Sequence, residues 1–237
     1  MPNNRILEKK MAGKKAFGLA LSFYSDELIE LAGVMGLDFV SYDGQHGPIT
    51  PETIDRFCRM CDGWNLTPSM RVPDQIPSNI LNYLDRGIKA ITIPNVETKE
   101  QAQKLIEHCY FAPEGLRSYT SKRVTRFGTE KDLSRMMAQA NEDLMIIPQI
   151  ESITAYQNLD EILDVEGIEV LAGGPNDLAQ SMGFPGRPDH PDCLKVTAQG
   201  RVKITNAGKY RDDEVMVSID ATIAVKESIE NMLSNRQ

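Results

Sequence analysis

The sequence predicts a single α/β domain of the TIM-like (β/α)8 barrel type, spanning residues 1–237, and three observations carry that expectation. Short apolar runs alternate with amphipathic stretches along the chain, as they do where helical crossovers join parallel strands. Runs such as residues 144–150 and 168–172 are apolar on both faces, the pattern of strands buried between a barrel interior and an outer layer of helices. A length of 237 residues at 41% hydrophobic content is enough for one substantial core.

The expected strands cover residues 16–23, 38–42, 67–72, 90–94, 144–150, 168–172 and 214–219. Helices are expected to begin near Ser25, Pro51, Pro77, Thr98, Lys131, Thr154, Pro191 and Ala221. Ser25 and Thr98 are side-chain N-caps, and Pro51, Pro77 and Pro191 suit the first helical turn, where a missing N–H costs nothing. Seven strands, each followed by a helix, favour a barrel over an open doubly wound sheet. The chain has no G-x-G-x-x-G after its first strand and no P-loop, so a nucleotide fold loses its usual support.

A formal net charge of −8 argues against a nucleic-acid surface or an anionic membrane as the main partner. An anionic substrate would need positive charge supplied locally. No apolar run approaches the roughly 20 residues that span a bilayer, and residues 1–15 are polar and basic without an apolar core, so a cytoplasmic protein is expected. The four cysteines, Cys58, Cys61, Cys109 and Cys193, do not form a disulfide framework or a zinc set. Cys58 and Cys61 fall in one helical stretch with no second pair, so packing as small apolar side chains is expected.

The chemistry gathers at strand ends. Glu151 closes Pro148-Gln149-Ile150-Glu151, and Asp177 follows the next strand in Gly174-Pro175-Asn176-Asp177-Leu178. A carboxylate at the end of a buried strand is costly unless a cation or a partner receives it, so this pair is the candidate divalent-metal site. Asp43 and His46 follow the second strand, and Arg71 ends the third. Barrel strands converge on one mouth, which lets Asp43, His46, Arg71, Gln149, Glu151 and Asp177 share a pocket despite their separation in sequence. Each alone has a plain structural reading, as a hydrogen-bonded loop residue or an ion pair. Two loops flank the set: residues 115–128, with Arg117, Lys122, Arg123 and Arg126, read as a solvated basic loop or as a lid over an anionic substrate; residues 182–191 are a stiff Gly/Pro-rich segment at the site entrance.

Several segments together resemble the HpcH/HpaI family of metal-dependent class II pyruvate aldolases. They are Asp43-Gly44-Gln45-His46, Arg71-Val72-Pro73, Pro94-Asn95-Val96-Glu97, Gln149-Ile150-Glu151, Gly174-Pro175-Asn176-Asp177-Leu178 and Ser181-Met182-Gly183, in the expected order. Tyr110-Phe111-Ala112-Pro113-Glu114-Gly115-Leu116-Arg117 is similar to that family's Y-P-P-x-G-x-R segment.

The resemblance implies that Glu151 and Asp177 ligate Mg²⁺, Mn²⁺ or Co²⁺, since oxygen ligands suit such cations. It implies that Arg71 holds the carboxylate and keto oxygen of a 2-oxo acid with help from Gln149. Backbone N–H groups around Gly174, Pro175, Asn176 and Asp177 would receive the other carboxylate oxygen. His46, oriented by Asp43, would be the acid–base group. The implied reaction is cleavage of a 4-hydroxy-2-oxo acid to pyruvate, or a related 2-oxo acid, and an aldehyde through a metal-stabilised enolate, without a Schiff-base lysine such as Lys89 or Lys122. Oxaloacetate decarboxylation is a plausible side reaction. A homo-oligomer is implied, a hexamer exchanging its terminal helix. The alternatives are a citrate-lyase β-subunit-like acyl-CoA lyase and a non-catalytic barrel that binds metal and keto acid.

Two departures stand out. Gln45 replaces the Glu common in D-G-E-H, and the chain passes from Ala207-Gly208-Lys209 almost directly into residues 214–219. One β/α unit is therefore expected to be missing near residues 209–210, as if about 20 to 25 further residues, the size of one such unit, belonged there.

Overall fold

The computed structural model describes residues 3–235. Its strands are β1 (Ala16–Leu21), β2 (Phe39–Asp43), β3 (Thr67–Arg71), β4 (Ala90–Ile93), β5 (Met145–Ile150), β6 (Val170–Gly173), β7 (Tyr210–Arg211) and β8 (Met216–Asp220). They form one parallel sheet in the order β7-β6-β5-β4-β3-β2-β1-β8, curling through the TIM-like course. Around it run α1 (Arg5–Met11), α2 (Asp26–Val34), α3 (Pro51–Gly63), α4 (Pro77–Arg86), α5 (Lys99–Cys109), α6 (Leu133–Glu142), α7 (Ile153–Gln157), α8 (Leu159–Leu163), α9 (Pro175–Ser181), α10 (Pro191–Asn206), α11 (Asp212–Val215) and α12 (Ala221–Ser234).

Register assigns each strand residue a face. Adjacent parallel strands share side-chain orientation at paired positions, so the inward set can be followed from strand to strand. Ala16, Phe39, Ala90, Met145, Ile147, Val170 and Ala172 meet Ile6 and Val215 in one buried cluster inside the curl. Residues of opposite parity, including Leu21, Val40, Met70, Ile91, Ile146 and Leu171, pack outward against the helices in a larger cluster. Continuing the inward parity toward the carboxyl ends places Asp43, Arg71, Gln149 and Glu151 above the inner cluster. The same alternation that builds the core thus aims the polar groups into the mouth.

The amino end is closed by α1. Asn4 caps this helix and donates from Nδ2 to the carbonyls of Lys89 and Asp143, both at 2.9 Å. Arg5 pairs with the buried Asp38 at 2.7 Å, and Ile6 plugs the interior. Burying a side chain of that size contributes about 1.5–3 kcal/mol.

Eight strands form where seven are expected, and the difference lies at the join. Lys209 leads without interruption into β7: Tyr210 N donates to Glu169 O at 2.9 Å, and Tyr210 and Arg211 pair with Val170 and Leu171. The strand then stops after two residues and α11 makes a single turn before β8. Residues 214–219 read as one strand, whereas Glu214 and Val215 end the helical turn and Val215 is buried in the inner cluster. A full-length seventh strand and crossover helix are not formed, and β7 and β8 do not pair among the described residues.

The basic loop does not serve as a lid over the mouth in this conformation. It borders a cavity of about 630 Å³ lined by Lys89, Asp143 and Leu144, which precede β4 and β5, and so lies at the amino end of the strands. Arg117 is buried, paired with Asp85 at 3.1 Å and stacked 4.6 Å over the Phe111 ring. Arg123 pairs with Asp62, and Arg126 with Glu130 at 3.4 Å. These cations are spent on structural partners.

Candidate active site

The tip of β5 positions the central carboxylate. Glu151 is 4% exposed, and its Oε1 accepts the Asn95 backbone N–H at 2.8 Å. That amide points inward because Asn95 adopts a left-handed backbone (φ 56°), a conformation Asn tolerates better than most residues. Gln75 fixes the turn by donating Nε2 to the carbonyls of Pro94 (3.0 Å) and Asn95 (2.7 Å). Glu151 Oε2 makes no hydrogen bond among the described residues. It faces Gly174, where a Cβ would come within 2.5 Å of it. Only glycine leaves room for the carboxylate between β5 and β6.

Burial, and then the charge of Asp177, push the Glu151 carboxyl above its ordinary value, against the Asn95 amide, Arg71 and His46. Those four groups therefore share one electrostatic neighbourhood. Asp177 stands exposed in the first turn of α9, brought there by Gly174 and by Pro175 at the helix start. Gln149 is buried with Nε2 donating to Gly173 O at 3.3 Å and Oε1 unpartnered. A lone buried acceptor beside the desolvated Glu151 carboxylate suits a cationic guest. No group of three or more His, Cys, Asp or Glu suited to a metal ion occurs among the described residues. The protein's donor set is thus two carboxylates, which fits a hard divalent ion that keeps open positions for substrate oxygens.

Across the mouth, paired positions 43 and 71 of β2 and β3 hold an Asp–Arg fork. Arg71 donates Nε to Asp43 Oδ1 at 3.0 Å and Nη2 to Oδ2 at 2.6 Å. Burial works to raise the Asp43 carboxyl, but the Arg71 hydrogen bonds and the Gln45 and His46 amides overcome it and hold the group below its ordinary range. The sequence reading has Asp43 orienting the His46 ring. Here Asp43 instead aims Arg71, and it reaches His46 through the backbone, accepting His46 N–H at 3.4 Å and Gln45 N–H at 3.0 Å. The reason is reach: a residue three positions on, in a tight turn, presents its amide to that carboxylate. Arg71 Nη1 carries no hydrogen bond among the described residues and remains for a ligand, while the His46 side chain is exposed at the rim.

The Asn95 amide was not among the expected site groups; its signal is the Asn itself, in Pro94-Asn95 directly after a strand. Residues 182–191 turn on themselves through Phe184 stacked on His190, centroids 3.6 Å apart. The four cysteines are buried and free, and burial pushes the Cys109 thiol up to about 12. Among the described residues no helix is long and apolar enough to cross a membrane.

A curled parallel sheet that brings Asp43, His46, Arg71, Glu151 and Asp177 to its carboxyl ends has the layout of a TIM-barrel enzyme, whose active sites lie at that face. The chain belongs to the HpcH/HpaI aldolase/citrate lyase family, whose model matches residues 17–232. It is 34% identical to a 2-keto-3-deoxy-L-rhamnonate aldolase of Klebsiella pneumoniae, over 91% of this chain and 79% of that protein. It is 33% identical to a protein of that name from Escherichia coli (strain K12), over 87% and 77%. An HpcH/HpaI aldolase/citrate lyase family protein from Burkholderia cenocepacia superposes with a TM-score of 0.87 at 25% identity, covering 99% of this chain and all of that one. A citrate lyase β subunit from M. tuberculosis, complexed with oxaloacetate and magnesium, shares the fold at a TM-score of 0.53 and 13% identity, covering 91% and 84%. The protein is thus a carbon–carbon lyase of the aldolase type.

Proposed function

We propose that this chain is a divalent-metal-dependent aldolase that cleaves a 4-hydroxy-2-oxo acid to pyruvate, or a closely related 2-oxo acid, and an aldehyde. The observation that carries the reading is the buried Glu151 carboxylate, with one oxygen unclaimed, beside Asp177 and opposite a guanidinium already aimed by Asp43. Glu151 and Asp177 would hold Mg²⁺, Mn²⁺ or Co²⁺. When bound, such an ion supplies positive charge where the 2-oxo acid's oxygens become more negative.

The chain's own groups do the rest. Arg71 Nη1 engages the substrate carboxylate and keto oxygen, its plane fixed by the Asp43 fork. The Gly174–Asp177 segment, with N–H groups everywhere but Pro175, receives the second carboxylate oxygen. Gln149 lends a buried amide from below. His46 takes the C4 hydroxyl proton as the C3–C4 bond breaks, and the electron pair passes to the keto oxygen of the departing pyruvate enolate. Reprotonation at C3 completes pyruvate. Lys89 pairs with Asp62 at the amino end, 3.9 Å away, which disfavours it as a Schiff-base lysine.

A homo-oligomer built by exchange of α12 belongs to the same reading. Ala221 is the one buried residue of that helix among those described, while Ile223, Val225, Ile229, Met232 and Leu233 are exposed. Phe17, Val217 and Ile219 on the outer face of β1 and β8 are exposed as well. Two uncovered apolar faces on one chain favour mutual cover between copies, in a hexamer by family resemblance.

The test is a pyruvate-release screen over 4-hydroxy-2-oxo acids with and without EDTA. Metal-restored release is expected, and full activity in chelated Glu151→Ala protein would end the metal reading. Release from an acyl-CoA thioester alone would favour the acyl-CoA lyase alternative.

A further inference from the structure

We infer that Arg211 is a positioning residue of the reaction: its guanidinium, laid against Gly173 where a strand is missing, sets positive charge behind the Gly173–Asp177 turn that receives the substrate carboxylate. The inference rests on the aldolase reading and adds to it a cation outside the mouth. β6 runs to Gly173, but β7 ends level with Leu171, so among the described residues the tip of β6 has no strand beside it at the seam toward β8. The Arg211 side chain takes that place. It shares the outward parity of its register partner Leu171, and a Cβ on Gly173 would lie 3.0 Å from its Cζ and Nη1 and closer still to Nη2. Gly174 faces the other way, where a Cβ would come within 2.5 Å of Glu151 Oε2 and 3.1 Å of Gln149 Nε2. Two glycines of backbone thus separate a guanidinium from the buried carboxylate of the site, and Gly173 O accepts Gln149 Nε2 at 3.3 Å.

The partners of Arg211 show that its charge is not absorbed locally. The residue is 7% exposed, yet Nη1 reaches only the Tyr156 hydroxyl at 3.5 Å, Nη2 only Asp212 Oδ1 at 3.7 Å, and Nε has no partner among the described residues. The Asp212 side chain is 37% exposed and shares its charge with water. A mere spacer beside Gly173 would not need a cation, since an apolar side chain of the same length fills the place without the cost of desolvating a charge. That charge has a use across the two glycines. With a divalent ion, Asp43, Arg71, Glu151 and Asp177 add to no net charge, so the carboxylate of a 2-oxo acid, and then its enolate, bring negative charge that the mouth alone does not balance. Arg211 balances it through the backbone, from a buried place where water screens little.

The test removes the charge and keeps the bulk. Arg211→Met, Arg211→Lys and Asp212→Asn are compared with the parent by calorimetric titration with Mn²⁺ and by titration of the Mn²⁺-loaded proteins with pyruvate. Arg211→Met is expected to bind Mn²⁺ as tightly as the parent or more tightly, since a like charge has left, and to bind pyruvate roughly tenfold more weakly. Arg211→Lys should return pyruvate affinity to within about threefold of the parent. A displaced turn cannot give that split, because it would weaken ion and pyruvate together and a lysine would not mend it. Arg211→Met with parental pyruvate affinity, or with ion and pyruvate weakened alike, would overturn the inference, as would an Arg211→Lys protein as weak as Arg211→Met. Where Arg211→Met does not fold by circular dichroism, Asp212→Asn decides: loss of the nearest counter-charge should tighten pyruvate binding by about twofold or more, and unchanged or weaker binding overturns the inference. Absence of Mn²⁺-dependent solvent exchange at C3 of pyruvate in the parent would instead end the aldolase reading itself.

Discussion

The two flanks of the mouth are built differently. From β2 to β5 every neighbouring pair is in register, and this flank carries Asp43, Arg71 and Glu151, the groups held by short, specific hydrogen bonds. Past β6 the pairing thins to the two residues of β7 and stops between β7 and β8, and the residues there include the small or exposed Gly173, Gly174, Asp177 and Ser218. Groups that must be desolvated and aimed need a rigid frame, because each buried charge costs free energy that only fixed partners offset. Asp177 needs less, since water shares its solvation.

The sharpest break in this comparison comes at Glu151. Replacing it with Ala removes the buried half of the carboxylate pair and should lower metal-dependent pyruvate release by at least about 10³-fold, the several kcal/mol a Lewis-acid site supplies. Circular dichroism should remain that of the parent, because the side chain stands above the packed layers. Asp177→Ala should bind Mn²⁺ more weakly by calorimetry but lose less activity than Glu151→Ala. Equal losses would mean that the open flank is as demanding as the paired one.

Within the paired flank, binding separates from proton transfer. His46→Ala should slow cleavage by roughly 10²- to 10⁴-fold while pyruvate affinity holds, whereas Arg71→Lys keeps the charge, loses the fork with Asp43 and should weaken pyruvate binding. Because Asp43 holds Arg71 rather than the His46 ring, Asp43→Asn should behave like Arg71→Lys in KM. An Asp43→Asn enzyme with normal KM and only a reduced kcat would return Asp43 to the role of a histidine partner.

The paired flank was also the more legible in the sequence. Its strand ends and caps follow from alternation and from where each apolar run stops, and the same pattern marked Asp43, His46, Arg71, Gln149 and Glu151 as candidates. The exceptions are informative. The role of Asp43 depended on a lateral neighbour 28 positions away, which periodicity along the chain does not encode. The loop over residues 115–128, with four cations close in sequence, could be read as a solvated loop or as a lid, and the choice depended on α5 carrying the chain back to the amino end first. At the seam, residues 214–219 had strand composition, yet the need to plug an interior gap turned Val215 into the end of a helical turn. Local pattern yields there to the shape of the hole.

A smaller change is expected on the seam's outer face. Truncation after Asp220 removes α12 and the apolar side chains Ile223, Val225, Ile229, Met232 and Leu233, whose burial in the chain's own core is slight. If copies exchange this helix, light scattering should report a smaller species than the parent while solvent exchange of pyruvate survives in part. A monomeric parent rejects the exchange outright.

The smallest effect concerns what Glu151 costs the empty protein. Its folded-state pKa is raised, first by burial and then by Asp177. A carboxyl raised in the folded state contributes stability that is present below its unfolded value, near 4.5, and lost as pH rises through the folded value. At neutral pH the ionised side chain therefore works against the metal-free fold. Glu151→Gln keeps the shape and removes the charge, so in EDTA it should melt about 2 °C higher than the parent at pH 7, with the gap closing toward pH 4. Adding Mn²⁺ should reverse the order, since the parent gains from ligation and the Gln variant does not. A Gln variant that melts lower than the parent in EDTA at pH 7 would mean that the Asn95 hydrogen bond outweighs desolvation, and that the paired flank stabilises its charge without the ion.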